Sequence, residues 1–301
     1  MSPYPFHYHR AHTLAEAVTL LAQLGGEGQL LAGGQSLIPL MKLRLARPGA
    51  LVDLNFVPGL SAIDEHSGEI RMGAMARHAA LEDSELVARV PILHDCAAGI
   101  ADSQVRNMGT IGGSVAEADP SGDWVAVLLT LGAQVRCTGP QGERIMPVSD
   151  FVTDAYTTML GPAEIVQEIR VKLPPAKSGG AFIAFKRCAS VYASASAAVQ
   201  LTLGDGDICR DIHIALGCVG LTAVVPIAAQ DALRGKPVSA KSIENAADAA
   251  MAAAEPQSDM RGSADYKRVL VRAVVKRAID IAARRARGER VEAGHEYVAR
   301  V

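Results

Sequence analysis

The stretch QLLAGGQS, residues 29–36, decides the predicted fold, because it leads from an apolar run through a glycine pair into a helical pattern. The run at residues 29–32 is typical of a strand, and residues 37–45 have helical spacing. A second strand pattern follows at residues 50–54. The first 55 residues therefore predict a small α/β unit in which a glycine turn joins a strand to a helix.

A helix is predicted upstream of this unit. Thr13 and Glu16 have the spacing of a capping box, and apolar residues repeat at helical intervals from Leu14 to Leu24. Gly25 and Gly26 are the predicted helix end, because glycine is the residue that most often terminates a helix.

A second glycine-rich stretch, NMGTIGGS, lies at residues 107–114 and is uncharged like the first. Consecutive glycines let backbone amides approach a ligand closely, and a row of amides forms a nest for phosphate oxygens. The hydroxyls of Ser36, Thr110 and Ser114 would add uncharged donors. Two such strand–glycine turns fit a ligand with two phosphates, such as a dinucleotide. A tight turn without a ligand is the alternative interpretation of either glycine pair alone.

Composition excludes several classes of protein. The 301 residues carry 30 basic and 32 acidic side chains, a balance that excludes a strongly basic nucleic-acid binder. The five cysteines form no C-x-x-C pair, so we expect no disulfide framework and no zinc or iron–sulfur site held by this chain alone. Without a signal-like segment or an apolar run of about 20 residues, we expect a cytoplasmic protein with no membrane span.

Two familiar nucleotide-binding fingerprints do not occur in the sequence. There is neither a G-x-G-x-x-G that opens a helix after a strand nor a G-x-x-x-x-G-K-S/T. A bound dinucleotide would therefore need a fold other than the Rossmann fold.

The linker-like stretch PPAKSGG, residues 174–180, divides the chain. The segments that alternate like antiparallel strands beyond it are 181–187, 197–203 and 211–219. Two helices are predicted to follow, at residues 243–254 and 264–287.

Two long motifs resemble a known family. LAGGQSLIPLMKLRLARPGALVDLN, residues 31–55, resembles the first FAD-binding motif of the flavin subunits of molybdenum hydroxylases, the carbon monoxide dehydrogenase medium-subunit and xanthine dehydrogenase flavin-subunit type. NMGTIGGSVAEADPSGDW, residues 107–124, is similar to the second motif. The opening FHYHRAHTLAEAVTLL and the tail SDMRGSADYKRVLVRAVVKRAI are also similar to that family, so the resemblance covers essentially the whole chain.

The resemblance implies an α+β fold. Two N-terminal α/β subdomains would form an FAD-binding domain of the PCMH type, followed by a domain with an antiparallel sheet and helices. The implied boundaries are residues 1–56 for the first subdomain with the first FAD loop, 57–175 for the second subdomain with the second loop, and 176–301 for the C-terminal domain.

The resemblance also implies which residues hold FAD. Residues of the first motif would wrap the pyrophosphate: Ala32, Gly33, Gly34, Gln35 and Ser36. Residues of the second motif would contact the phosphates and the ribityl chain: Thr110, Ile111, Gly112, Gly113 and Ser114. Asp123 matches an acidic residue that accepts hydrogen bonds from the cofactor. Leu160 and Lys186 match positions near the flavin, and Tyr192 resembles a tyrosine that packs near the isoalloxazine ring.

The implied function is that of an electron-transfer subunit in a heterotrimeric molybdenum hydroxylase. A large subunit with molybdopterin would oxidise the substrate, and a small subunit with two [2Fe–2S] clusters would pass electrons through FAD to an external acceptor. The cofactor would carry the redox chemistry, so no side chain needs to act as an acid or a base. Lys186 is the predicted positive group that favours the reduced flavin anion. A stand-alone flavin oxidase and a scaffold subunit without cofactor are the alternatives.

One departure from the family pattern falls in the second motif. Glu117 stands where many relatives carry His in an A-H-A-D-P run, which puts the contacts of this position in question. Asp119 and Asp123 have the spacing of a catalytic carboxylate pair, but Pro120 and Gly122 favour a turn, with Asp123 as the N-cap of a helix at residues 124–131.

Two charged or titratable groups have a functional and an ordinary interpretation. His7, His9 and His12 suggest either a metal site or surface positions, and the absence of nearby Cys or carboxylate favours the surface. The basic series of the C-terminal helix suggests either nucleic-acid binding or a solvated face that contacts another subunit, and the second is favoured. The series comprises Lys267, Arg268, Arg272, Lys276, Arg277, Arg284, Arg285 and Arg287.

Overall fold

A computed structural model describes residues 2–294, so Met1 and residues 295–301, the end of the predicted third domain, lie outside the described residues. The N-terminal elements are β1 (His7–Arg10), α1 (Leu14–Leu24), β2 (Gly28–Leu31), α2 (Leu37–Lys42) and β3 (Ala50–Asp53). The three strands form a parallel sheet in the order β1-β3-β2. This confirms the predicted α/β unit and adds β1, which is not among the predicted strands.

Helix α1 follows its predicted caps. The Thr13 side chain accepts a hydrogen bond from the Glu16 amide at 3.1 Å, and Gly25 ends the helix with a φ of 54°. Helix α2 is shorter than the predicted residues 37–45, because Arg44 turns the chain with a left-handed φ of 63°.

The middle of the chain forms a five-stranded antiparallel sheet in the order β4-β5-β10-β6-β7. Its strands are β4 (Ile63–His66), β5 (Glu69–Gly73), β6 (Gln134–Gly139), β7 (Gly142–Pro147) and β10 (Ile165–Lys172). A two-stranded ribbon precedes β10 in sequence and comprises β8 (Val152–Asp154) and β9 (Thr157–Thr158). The helices of this part are α3 (His78–Glu82), α4 (Glu85–Ala88), α5 (Pro91–Gly99), α6 (Ser103–Met108), α7 (Ile111–Glu117), α8 (Asp123–Thr130) and α9 (Val148–Phe151).

The prediction that the second glycine pair forms a turn after a strand is wrong. Helix α6 precedes it, and Gly112 and Gly113 lie at the start of α7, whose N-cap is Thr110. Glycine costs about 1 kcal/mol relative to alanine inside a helix, so the local pattern does not predict α7. Packing explains the glycine: a Cβ at Gly112 would lie 2.4 Å from the Cβ of Ala74, just beyond β5.

The C-terminal part confirms the predicted antiparallel strands and two long helices. Its strands, in spatial and chain order, are β11 (Ser178–Phe185), β12 (Ala195–Leu203) and β13 (Cys209–Gly217). Its helices are α10 (Ile227–Leu233), α11 (Ala240–Ala253) and α12 (Ala264–Ala286). Helix α12 packs along this sheet in one hydrophobic cluster with α11.

Two members of the basic series on α12 are buried, so the prediction of a solvated or subunit-facing position is wrong for them. Lys267 Nζ lies 2.9 Å from Asp259 Oδ1. Arg285 donates to both carboxylate oxygens of Asp95 in α5, at 2.6 and 3.0 Å. Both cations are therefore held in the interior by specific acidic partners rather than by water.

The three larger sheets contribute to three hydrophobic clusters that are partly shared. Phe182 and Ala198 of the C-terminal sheet belong to the middle cluster, and Ile165 of β10 belongs to the N-terminal cluster. The glycine loops lie where the first two clusters meet, because Ala32 packs against the cluster around Val52, and Ile111 belongs to the cluster around Trp124. This architecture confirms the predicted α+β class. No helix within residues 2–294 is both long and apolar enough to cross a bilayer.

Candidate cofactor site

The first glycine loop presents a row of free backbone donors. The amides of Ala32, Gly33, Gly34, Gln35 and Ser36 have no hydrogen-bond acceptor among the described residues. Gly34 has a φ of 70°, a left-handed conformation that favours glycine. Successive amides beside such a turn form a concave anion site, so this loop has the chemistry of a phosphate nest.

The two loops contact each other directly. A Cβ built at Gly33 would lie 2.2 Å from the Met108 carbonyl oxygen and 2.8 Å from the Gly109 α-carbon. A Cβ built at Gly113 would lie 3.7 Å from that of Ala32. The structure therefore brings the two predicted FAD motifs together, and only a glycine at position 33 permits this approach.

The second loop uses its amides differently from the prediction of a second nest. Ile111 donates to the Ala76 carbonyl at 3.1 Å, and Gly112 donates to the Ala74 carbonyl at 2.9 Å. The Gly113 amide donates to the Thr110 hydroxyl at 3.1 Å. Ser114 donates to the carbonyl of Thr110. Because these four amides are already bonded, the second loop offers a ligand its hydroxyl groups and its surface rather than a row of amides.

Asp123 and Lys186, which the sequence resemblance selects separately, form one buried ion pair. Lys186 Nζ lies 3.0 Å from Asp123 Oδ2 and donates to the Gly99 carbonyl at 2.7 Å. Burial opposes the charge of Lys186, but the Asp123 carboxylate holds the lysine pKa above its usual value. Lys186 is therefore a charged group whose charge Asp123 compensates. The buried Oδ1 of Asp123 has no hydrogen-bond partner among the described residues.

The prediction that Asp123 is the N-cap of α8 is wrong. Gly122 is the N-cap, and Asp123 is the first residue of the helix. The turn predicted from Pro120 and Gly122 is present, because Asp119 Oδ1 accepts a hydrogen bond from the Ser121 amide at 2.8 Å. With Asp123 bound to Lys186 and Asp119 bound within its turn, the two carboxylates do not form a catalytic pair.

Tyr192 lies beside this turn with half of its side-chain surface exposed, at 51%. Desolvation and the Asp119 carboxylate raise the pKa of the Tyr192 phenol well above its usual value. Burial and the neighbouring Asp119 raise the pKa of Glu117, the residue that departs from the family pattern. Leu160 is half-buried against the middle core and has no described contact with the other predicted site residues.

Three residues around the same turn have a strained backbone. Ala118, Tyr156 and Cys218 have left-handed φ values of 49°, 54° and 65°. Tyr156 donates its amide to the Ala118 carbonyl at 2.9 Å, and Cys218 donates to the Pro120 carbonyl at 3.2 Å. Non-glycine residues in this region cost about 1 kcal/mol or more each, and such strain is common at binding sites.

A buried histidine supports the second loop from behind. His78 Nδ1 accepts a hydrogen bond from Trp124 Nε1 at 3.2 Å. The His78 amide donates to the Gly109 carbonyl at 3.1 Å. Burial, together with Arg77 and Arg106, lowers the pKa of His78 to about 4, so the ring is neutral at pH 7. Its role is to position the loop rather than to transfer protons.

Sequence reasoning missed two residues at the junction of the loops, Asn55 and Arg77. Asn55 is the last residue of the first motif and directly follows a buried strand, a position where a polar side chain is a usable signal. No local pattern marks Arg77.

For the histidines, β1 contains His7 and His9, and no group of three metal-ligating side chains occurs within residues 2–294.

Comparison with known families matches nearly the whole chain. The model described as the FAD binding domain in molybdopterin dehydrogenase matches residues 4–174. The model described as the CO dehydrogenase flavoprotein C-terminal domain matches residues 180–282.

The alignments with individual relatives cover almost the full length of this chain and of each relative. The chain is 41% identical to the carbon monoxide dehydrogenase medium chain of Hydrogenophaga pseudoflava, over 94% of this chain and 98% of the relative. It is 38% identical to subunit alpha of the 6-hydroxypseudooxynicotine dehydrogenase complex of Paenarthrobacter nicotinovorans, over 98% of this chain and 100% of the relative. A solved carbon monoxide dehydrogenase from H. pseudoflava, lacking the Mo-pyranopterin moiety of its cofactor, contains a chain with a TM-score of 0.91, 42% identity and coverage of 94% and 98%.

Proposed function

The chain belongs to the family of FAD-binding medium subunits of molybdenum hydroxylases, and we propose that it passes electrons from [2Fe–2S] clusters of a small partner subunit through FAD to an external acceptor. Substrate oxidation would take place on a large subunit that contains molybdopterin. Membership of this family makes the chain a flavoprotein subunit of an oxidoreductase complex.

One observation carries the proposal: five successive amides at residues 32–36 have no acceptor within residues 2–294, and their loop contacts the second motif at Met108 and Gly109. A diphosphate needs donors that approach without side-chain obstruction, and this loop supplies them. The residues therefore fit FAD at its diphosphate. The partnerless Oδ1 of Asp123 fits a hydrogen-bond donor on the same cofactor.

Each predicted site residue has a proposed task. Residues Ala32–Ser36 bind the diphosphate. Residues 110–114 contact the phosphates and the ribityl chain, where Thr110 and Ser114 offer hydroxyls and Ile111, Gly112 and Gly113 offer their surface. Asp123 accepts a hydrogen bond from the flavin, Lys186 fixes the orientation of Asp123, and Leu160 and Tyr192 pack near the ring. When bound, FAD supplies the redox chemistry, and the protein supplies binding, orientation and electrostatics.

Two titratable side chains near the loops, Asp123 and His78, are not arranged for proton transfer to a substrate. Asp123 is paired with Lys186, and His78 is buried, neutral and bonded to Trp124. A general base must reach its substrate proton within hydrogen-bond distance, and neither group is placed to do so. This favours electron transfer over a stand-alone oxidase.

The division into residues 1–56, 57–175 and 176–301 is also a proposal. It is supported by the three separate larger sheets and by residues 174–177, the part of the predicted linker at residues 174–180 that lies between β10 and β11.

The proposal is tested by anaerobic reduction. The purified full chain with FAD is mixed with candidate substrates of its relatives, carbon monoxide among them, and the visible flavin spectrum is followed. We expect no bleaching until the partner subunits are added. Bleaching by substrate in the isolated chain would identify a stand-alone oxidase. Purification of the native complex, with flavin, molybdenum and iron analysis and partner masses, then establishes whether both partner subunits are present.

A further inference from the structure

Asn55 and Arg77 connect the two loops through a continuous chain of hydrogen bonds. The Asn55 side-chain amide donates to the Ala32 carbonyl at 3.1 Å. Its side-chain oxygen accepts a hydrogen bond from Arg77 Nη2, and Arg77 Nη1 donates to the Met108 carbonyl. Ala32 belongs to the first loop and Met108 to the second, so these two side chains fasten one loop to the other.

The β3 strand holds Asn55 in this orientation. The buried carboxylate of Asp53 accepts hydrogen bonds from the Asn55 backbone amide at 2.9 Å and from its side-chain nitrogen at 2.5 Å. The Tyr8 hydroxyl donates to the other oxygen of Asp53 at 2.5 Å. An asparagine can donate to Ala32 and Asp53 while accepting from Arg77, whereas an ionised aspartate at this position could only accept.

Arg77 brings a positive charge to loop segments that contain none, and the buried Asp53 carboxylate, which Asn55 also contacts, attracts it. The loop segments at residues 32–36 and 107–114 contain no Asp, Glu, Lys or Arg. Both described hydrogen-bond acceptors of Arg77 are neutral, in contrast to Lys186, whose charge Asp123 compensates. Burial lowers the pKa of Arg77, yet a guanidinium remains protonated in a protein. A diphosphate beside the Gly33–Met108 contact would therefore lie close to this cation, which already donates to the Met108 carbonyl.

We propose that Asn55 and Arg77 are positioning residues that couple the two loops and set the affinity for the diphosphate half of FAD. The inference rests on the proposed assignment of residues 32–36 to the diphosphate. It gives the two uncharged loop segments, residues 32–36 and 107–114, a shared electrostatic anchor that neither segment contains by itself.

The test compares ligands that share different parts of FAD. Flavin-free full-length chain is titrated with FAD, ADP and riboflavin, in wild type and in Arg77→Met, Arg77→Lys, Asn55→Ala and the double variant Asn55→Ala/Arg77→Met. We expect Arg77→Met to lower the affinity for FAD and for ADP by about tenfold or more, which is the loss expected when a hydrogen-bonded charge is removed. Riboflavin, which lacks phosphate, should change less than about twofold, and Arg77→Lys should restore part of the FAD affinity. Arg89→Met, on an exposed pair with Glu65, is the matched control.

The double variant separates coupling from independent effects. If the two residues act as one clamp, the double variant binds FAD no more weakly than Arg77→Met alone. Three results would each overturn the proposed coupling while leaving the proposed function intact: additive losses of FAD affinity in the double variant, equal losses of affinity for FAD and riboflavin, or an unchanged FAD affinity. A wild-type chain that binds riboflavin but neither FAD nor ADP would overturn the diphosphate assignment and the clamp together.

Discussion

Lys186 Nζ lies 3.0 Å from Asp123 Oδ2, and each of the two side chains is less than a tenth exposed. Removal of one partner from a buried pair leaves the other charge uncompensated, at a cost of about 3–5 kcal/mol. We therefore expect Lys186→Met to lower the free energy of unfolding by about that amount, as measured by urea denaturation of the flavin-free chain.

Two comparisons make this prediction specific. The double variant Asp123→Asn/Lys186→Met should recover much of the lost stability, because neither charge of this pair remains. Lys177→Met removes an exposed pair with Asp205 and should have almost no effect. A double variant as unstable as Lys186→Met would show that packing, not charge, accounts for the loss.

Glycine substitutions should affect FAD retention in a fixed order. Gly33→Ala places a methyl group against the rigid backbone at Met108, whereas Gly113→Ala meets the movable Thr110 hydroxyl at 2.8 Å. Gly26→Ala meets nothing within 4 Å and is the control. The ratio of flavin to protein absorbance should fall most for Gly33→Ala, less for Gly113→Ala and not at all for Gly26→Ala. Equal flavin content in all three folded variants would contradict the close approach of the loops.

Stability should depend on pH through His78. Its pKa is about 4 in the folded chain and 6.5 as the ordinary value, so the unfolded chain binds more protons between these pH values. The free energy of unfolding must then fall as the pH decreases through this window, by at most about 3 kcal/mol for this group. His78→Gln keeps a hydrogen-bond acceptor for Trp124 and should remove this part of the pH dependence. Parallel stability curves for wild type and His78→Gln between pH 4 and 6.5 would contradict the prediction.

The buried pair between Arg285 and Asp95 joins the C-terminal helix to the middle of the chain. Arg285→Ala leaves Asp95 buried without this cation, so we expect destabilisation of about 3–5 kcal/mol in denaturant unfolding. The adjacent Arg284→Ala removes only an exposed pair with Glu289 and should change stability by less than about 1 kcal/mol. Similar effects of the two substitutions would show that the Asp95 contact contributes little.

Sequence patterns predict the elements whose signals are local. Helix α1 has its Thr13 cap, its apolar repeat and its Gly25 end within twelve residues of chain, and the structure agrees at both ends. Helix α7 could not be predicted in this way, because its glycines are unfavourable in a helix and are required by contact with Ala74. The tertiary approach outweighs the local propensity at this position.

The same distinction holds for the candidate site. The glycine loops and Asp123 were identified from motifs, but the Asp123–Lys186 pair joins residues 63 positions apart, and Arg285 meets Asp95 across 190 positions. Arg77 carries no sequence signal, since its importance arises only where Met108 and Asn55 meet. Partners brought together by the fold are not visible in composition or spacing.

The two glycine loops that we propose to hold the diphosphate come from differently packed regions, since Ala32 packs against the N-terminal cluster and Ile111 lies within the middle one. A ligand that contacts both loops connects the two clusters, and its binding free energy stabilises their association by mass action. FAD would then also be a structural component, and limited proteolysis should cut the flavin-free chain sooner than the flavin-bound chain.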